Sequence, residues 1–289
     1  MRHIFVTGGT GTWGTEIVKQ LLARRVTKKV IVYSRAERSQ EYMKRKVKDN
    51  RVEYILGDVK DYHRVKQSMR GCDTVIHTAA IKAIPNMEKD CVQGYDINIT
   101  GTDNVVQAAI ANSVKGFVFI SSDKAVDPIN AYGVSKAAGE HIVKQAARDY
   151  PKIKFRVVRS GNVIGSSSSV LQIWEESLQK DNKIKVTVPE MTRFYLRIED
   201  AVKGLWSALK GKEVLRVNIS KFATLETLAR AAIKLWGNES SEIEIIGNRG
   251  GEKLHEQILS VHDGAPIDVY SCDTAEYTVN ELAEIINEV

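Results

Sequence analysis

Three features of the sequence predict an α/β fold, a Rossmann-like doubly wound parallel sheet with a smaller C-terminal lobe. Short Val- and Ile-rich runs alternate with helix-length segments, the first run enters a glycine-rich turn, and the alternation loosens after about Gly165. In order, the strand candidates are HIFVTG, KVIVYS, VEYILG, TVIHTA, GFVFIS and KFRVVRSG. Between them, GTEIVKQLLARR and GTDNVVQAAIANS space their apolar residues as amphipathic helices do. Parallel strands joined through helices cross over right-handedly, so the units stack into one sheet. The segment EVLRVNIS reads as a return strand near 213–220. Residues 1–165 with that strand therefore form the main domain, and residues 166–212 and 221–289 form the smaller lobe.

At 289 residues the chain can bury a substantial core, and 43% hydrophobic with 27% charged residues is an ordinary globular balance. Cys72, Cys91 and Cys272 form no CxxC pair and are odd in number, which argues against a zinc site or a disulfide framework and for a reducing, cytoplasmic setting. The first residues run straight into a strand pattern without a signal-like apolar core, and no window of transmembrane length follows. No membrane association is expected. The net charge of +6 sits largely in RRVTKKV and MKRKVKDNR, which lack interleaved aromatics, so solvated helix ends explain it better than a nucleic-acid surface.

The first strand leads into TGGTGTWG, in which Gly8, Gly11 and Gly14 have GxxGxxG spacing ahead of a helix. Glycine permits the tight turn and lets backbone amides approach a pyrophosphate, whose charge a helix N-terminus favours. The expected ligand is a dinucleotide. After the second strand, Ser34 and Arg35 stand where an acidic residue would accept from a free ribose hydroxyl. Their donors and positive charge suit a 2'-phosphate, so NADP is expected over NAD, unless Glu37 turns to the ribose instead. Asp58, after the third strand, can accept from the adenine amino group or cap a helix.

Farther along, SSDKAVDPINAYGVSKAAGE gathers Ser122, Asp123, Lys124, Tyr132 and Lys136. Tyr132 and Lys136 are four apart, hence on one helix face. An ammonium beside a phenol favours phenolate, so Tyr132 can take a hydroxyl proton with Lys136 assisting and Ser122 bonding the same oxygen. His77 and His255 have no second histidine at ligand spacing, and no metal is expected.

With TGGTGTWG, GDVKD, HTAA, INITGTDNV, ISSDKA and AYGVSK, the chain resembles the extended short-chain dehydrogenase/reductases over essentially its whole length. The Asp-Lys after the strand-end serine, VRSGNVIGS, MTRFY and RGGEKLHE narrow the resemblance to soluble, 5-inverting UDP-N-acetylglucosamine 4,6-dehydratases. That resemblance implies a cofactor set of Gly8, Thr10, Gly11, Thr12, Trp13, Gly14, Ser34, Arg35, Asp58, Val59, Thr78, Ala79, Ala80, Tyr132 and Lys136. Toward substrate it implies Lys82, Asn162, Val163, Arg193, Arg249 and Glu252, with the two arginines on diphosphate and nucleoside. It also implies Lys124 as the base at sugar C5, Asp123 as the acid at the leaving C6 oxygen, and a homo-oligomer. Three departures from the family pattern stand out: Ser167 replaces a basic residue, Gly250 replaces proline, and Ser160 replaces a tyrosine. A UDP-sugar 4-epimerase, a 5,6-dehydratase that stops at the alkene, and a catalytically silent NADP-binding protein are the alternatives.

Overall fold

The computed structural model describes residues 2–166 and 169–288. Its first half runs β1 (His3–Thr7), α1 (Thr12–Leu22), β2 (Lys29–Ser34), α2 (Glu37–Lys46), β3 (Val52–Leu56), α3 (Tyr62–Ser68), β4 (Thr74–His77), α4 (Ile84–Lys89) and α5 (Cys91–Tyr95). A π-helical turn, Asp96–Thr100, joins α5 to α6 (Gly101–Ala111). Then come β5 (Gly116–Ser122), a 3-10 turn (Asp123–Ala125), α7 (Ala131–Asp149), β6 (Lys154–Ser160), β7 (Asn162–Val163), α8 (Val170–Asp181), β8 (Lys183–Val186), β9 (Thr192–Leu196) and α9 (Ile198–Lys210). The chain ends with β10 (Leu215–Asn218), β11 (Phe222–Thr224), α10 (Leu225–Trp236), β12 (Glu242–Ile245), β13 (Gln257–Leu259), β14 (Val269–Tyr270) and α11 (Val279–Asn287).

Seven parallel strands form the main sheet in the order β10-β6-β5-β4-β1-β2-β3. The order reverses between β1 and β4, and ligands of such sheets bind at the carboxyl ends of the strands beside that reversal. Both faces are covered, which is why the strands read as continuous apolar runs. On one face Phe5, Tyr33, Phe117, Phe119 and Phe155 pack against Val65, Val105 and Val143 of α3, α6 and α7. On the other, Ile4, Val6 and Val118 pack against Ile17 and Leu21 of α1 and against Val202, Leu205 and Trp206 of α9.

Helix α9 packs on the main sheet. Residues 198–210 read as part of the lobe, yet they carry an amphipathic face that completes the sheet's second layer beside α1. Strand β10 extends the sheet itself by pairing with β6, Leu215 opposite Val157. A separate core joins α8, α10 and α11 through Leu171, Trp174, Leu178, Leu228, Leu282 and Ile286. There β12 pairs with β8, and the small sheet β11-β9-β7 runs from this lobe to the end of β6. The position of Ser167 lies outside the described residues.

Candidate active site

A cleft of about 940 Å³ crosses the carboxyl ends of the central strands and continues onto the smaller lobe. At one end lie Gly8, Thr10, Gly11, Thr12, Trp13, Ser34, Arg35, Val59, Thr78, Ala79 and Ala80. The turn before α1 is backbone-built. Gly8 has φ +64°, and a side chain there would meet Ala79 N and Thr78 Oγ1 at 2.8 Å. A Cβ at Gly14 would stand 2.4 Å from Gly9 Cα, so Gly14 lets helix and turn touch and does not itself line the cleft. Gly11, the N-cap of α1, brings no side chain to the helix end. Bare glycine backbone at a helix N-terminus fits the pyrophosphate of a dinucleotide.

At the ribose position the structure divides the expected pair. Arg35 is exposed on the cleft and lies 3.7 Å from Asp58 Oδ2. The Ser34 hydroxyl is already engaged by Gln40 Nε2 at 3.0 Å. Asp58 stands outside the cleft lining and uses Oδ1 to accept from Lys60 N at 2.9 Å. Glu37 opens α2.

The chemical centre is built where β5 ends and α7 begins. Asn130 caps α7 by accepting from Gly133 N at 2.7 Å and donates to Gly251 O at 2.8 Å, which ties the helix carrying Tyr132 to the segment carrying Glu252. Ser122, Lys124, Tyr132 and Lys136 all line the cleft. Asp123 does not. It is fully buried behind them, accepting at Oδ1 from Ser122 Oγ (2.7 Å) and Lys124 Nζ (3.2 Å), while its Oδ2 has no partner among the described residues. Its access to a ligand therefore runs through Ser122 and Lys124.

Lys124 Nζ also donates to Asn162 Oδ1 at 3.1 Å and lies 3.4 Å from Glu256 Oε1. Burial works against its charge, but Asp123 and Glu256 outweigh burial and hold the ammonium above the ordinary lysine value. Lys136 is the opposite case. Burial pushes it down to about 7, with Glu140 opposing, and its Nζ donates to Ile120 O at 2.6 Å over the Phe119 ring. Lys136 and Tyr132 line the same cleft, with the Lys136 ammonium donating to the Ile120 carbonyl. Burial raises the Tyr132 phenol, and the cation pulling it back down is Lys124.

On the substrate side, Lys82, Asn162, Val163, Arg193, Arg249 and Glu252 line the cleft. Arg249 is exposed on the loop Gly247–Gly251, where Gly250 has φ +79°, a conformation closed to the proline of the family pattern. Arg193 is buried, with Nη1 donating to Thr192 O at 2.8 Å. Ser160, also in the lining, keeps a buried hydroxyl without a partner among the described residues.

Three polar residues escaped the sequence reading. Glu256 lay unmarked in RGGEKLHE, Asn130 two positions before Tyr132, and Asn98 within INITGTDNV. Asn98 sits in the π-helical turn, bonds both polar groups of the Ile81 backbone, and donates to Ser135 Oγ at 2.9 Å. The helical spacing of its neighbours gave no sign of that turn. His77 is buried between the hydroxyls of Thr7 and Thr102, and burial lowers it to about 3, a neutral structural imidazole. Among the described residues no group of three metal-ligating side chains occurs, and no helix is long and apolar enough to cross a membrane.

A parallel sheet of this order, a glycine turn at its switch point and a Ser-Tyr-Lys set define an extended short-chain dehydrogenase/reductase. The chain belongs to the polysaccharide biosynthesis protein family, whose model matches residues 4–272. It is 36% identical over 265 residues to a UDP-N-acetylglucosamine 4,6-dehydratase (inverting) of Campylobacter jejuni, covering 91% of this chain and 78% of that one. It is 34% identical over 274 residues to a UDP-glucose 4-epimerase of Rickettsia felis, covering 92% and 80%. The structure of Pen from Bacillus thuringiensis is similar over 99% of this chain and 97% of that one, with TM-score 0.92 and 29% identity.

Proposed function

We propose that the protein is an NADP-dependent UDP-N-acetylglucosamine 4,6-dehydratase that inverts C5. The observation that carries this reading is the Asp123-Lys124 pair, its carboxylate buried and its ammonium on the cleft, beside Ser122 and Tyr132, an acid-base set larger than proton transfer at one hydroxyl requires. A nicotinamide dinucleotide, held by the glycine turn before α1 and by Thr78, Ala79 and Ala80, would supply the reversible hydride chemistry that links sugar C4 to C6. Tyr132 takes the proton of the C4 hydroxyl, with Ser122 bonding that oxygen. Lys124, as the amine, takes the C5 proton that C4 oxidation has made acidic. Asp123 holds a proton destined for the departing C6 oxygen, and its bond with Ser122 Oγ is the route out of the buried position. Arg249 and Arg193 supply positive charge for the diphosphate. The protein functions as a homo-oligomer in the cytoplasm in this reading.

A second reading, a UDP-sugar 4-epimerase, is favoured by the Rickettsia relative's name and by the same Ser-Tyr-Lys set. Liquid chromatography with mass spectrometry of UDP-N-acetylglucosamine incubated with the protein and NADP separates the two. Loss of one water, abolished by Tyr132→Phe, supports dehydration; an isomer of unchanged mass supports epimerisation.

A further inference from the structure

Glu256 is a buried carboxylate, 3% exposed, standing just before β13 and outside the cleft lining. Its backbone is fixed from both sides, Glu256 N donating to Ser271 Oγ at 3.1 Å and Ser271 N donating to Glu256 O at 2.7 Å. Its Oε1 is shared, 3.4 Å from Lys124 Nζ and 3.7 Å from Arg193 Nε. The other oxygen is buried with no partner among the described residues.

The groups facing Lys124 come from four directions: Asp123 on its own turn, Glu256 from the C-terminal segment, Arg193 and Tyr195 from β9 and Tyr132 from α7, with the neutral Asn162 from β7. A lone Asp-Lys pair in dry surroundings gains by moving its proton from nitrogen to carboxylate, because neither partner then carries a buried charge. A second carboxylate changes that balance, since an uncharged Lys124 would leave Glu256 facing only Arg193.

We propose that Glu256 is a positioning residue for Lys124, its carboxylate holding Nζ against the cleft wall and keeping the proton on that nitrogen until Asp123 receives it. In that transfer the N–H bond of Lys124 breaks and an O–H bond forms on Asp123 Oδ1 across 3.2 Å, turning ammonium and carboxylate into amine and acid. The amine is the form that can take a proton from carbon, and the acid the form that can give one to oxygen. Glu256 takes no part in the exchange, and the amine regains its proton beside that carboxylate. The inference rests on the dehydratase reading for the use of these two forms, but not for the hold of Glu256 on Lys124.

The test is an NMR titration of the protein with isotope-labelled lysine and bound NADP, the Lys124 signal being assigned by its loss in Lys124→Arg. In the wild type, Lys124 should remain an ammonium past the ordinary lysine pKa of about 10.4. Glu256→Gln should lower its midpoint by about one pH unit or more, a change a merely structural role would not produce, and Glu256→Asp should fall between. A wild-type midpoint below that of ordinary lysine overturns the proposal, as does a midpoint unmoved in Glu256→Gln, or in Glu256→Asp should the glutamine variant not fold. Turnover of UDP-N-acetylglucosamine separates the two readings. A shifted titration without dehydration in the wild type supports the hold of Glu256 and sinks the dehydratase, whereas dehydration with an unmoved titration sinks the hold alone.

Discussion

Lys136 Nζ donates to the carbonyl of Ile120, 2.6 Å away, inside the protein and over the ring of Phe119. Burial lowers its pKa to about 7, so the folded chain resists a proton that the unfolded chain accepts. The unfolded state therefore binds more protons between about pH 7 and the ordinary lysine value, and stability rises with pH through that window. Below it the penalty is complete. Lys136→Met, which keeps the apolar stem, should stabilise the cofactor-free protein by on the order of 3 kcal/mol at about pH 6 and by much less at about pH 9.5. Urea unfolding at the two pH values checks this.

Gly14 permits a contact that no side chain can. Its added Cβ would meet Gly9 Cα at 2.4 Å and Gly8 O at 2.5 Å, all backbone, so nothing nearby can turn aside. Gly14→Ala should cost about 1–3 kcal/mol in chemical unfolding and weaken dinucleotide binding by tenfold or more in a fluorescence titration, because the turn and the start of α1 must part.

The sheet was legible because its physics is local. Strands buried on both faces read as apolar runs, and each quoted run coincides with a strand, including the late one that became β10. The boundary was not legible, since the apolar stripe of α9 says that the helix must pack but not on which core. In the candidate site the glycine turn, Ser122, Tyr132 and Lys136 were readable from spacing. The division of labour among charges was not: Asp123 is sealed behind Lys124, Lys136 donates to a carbonyl, and Glu256 comes in from more than a hundred residues away. Such pairings depend on tertiary approach, to which spacing is blind.

Arg159 of β6 holds the C-terminal segment to the sheet domain. Its guanidinium donates to Glu140 at 3.0 and 2.7 Å within the interior and to the half-buried Asp263 at 2.6 Å. Removing one member of a buried ion network strands its partners, so Arg159→Met should lower stability by about 3–5 kcal/mol. Burial opposes the charge of Asp263, yet Arg159 and Lys144 hold its pKa below the ordinary value. A depressed carboxylate contributes stability above its unfolded pKa that is lost as pH falls through its folded one. The wild type should therefore weaken on acidification more than Arg159→Met does, as paired unfolding curves from neutral pH downward will show.

Arg35 carries the expectation of NADP more than Ser34, whose hydroxyl is already held by Gln40. Arg35→Glu should weaken NADP by about tenfold or more and leave NAD nearly unchanged, since a single charged hydrogen bond contributes roughly 1.5–3 kcal/mol. Calorimetric titration of both cofactors into both proteins decides it, and an unaltered preference would move recognition of the 2'-phosphate away from Arg35.

The central claim, dehydration with inversion at C5, is tested most directly by proton NMR of the protein and NADP with UDP-N-acetylglucosamine in deuterated buffer. A new C6 methyl signal with deuterium at C5, and ring couplings that report the inverted configuration, are the predicted result. A product that keeps its C6 hydroxymethyl group and differs only at C4 would contradict the account and make the protein an epimerase.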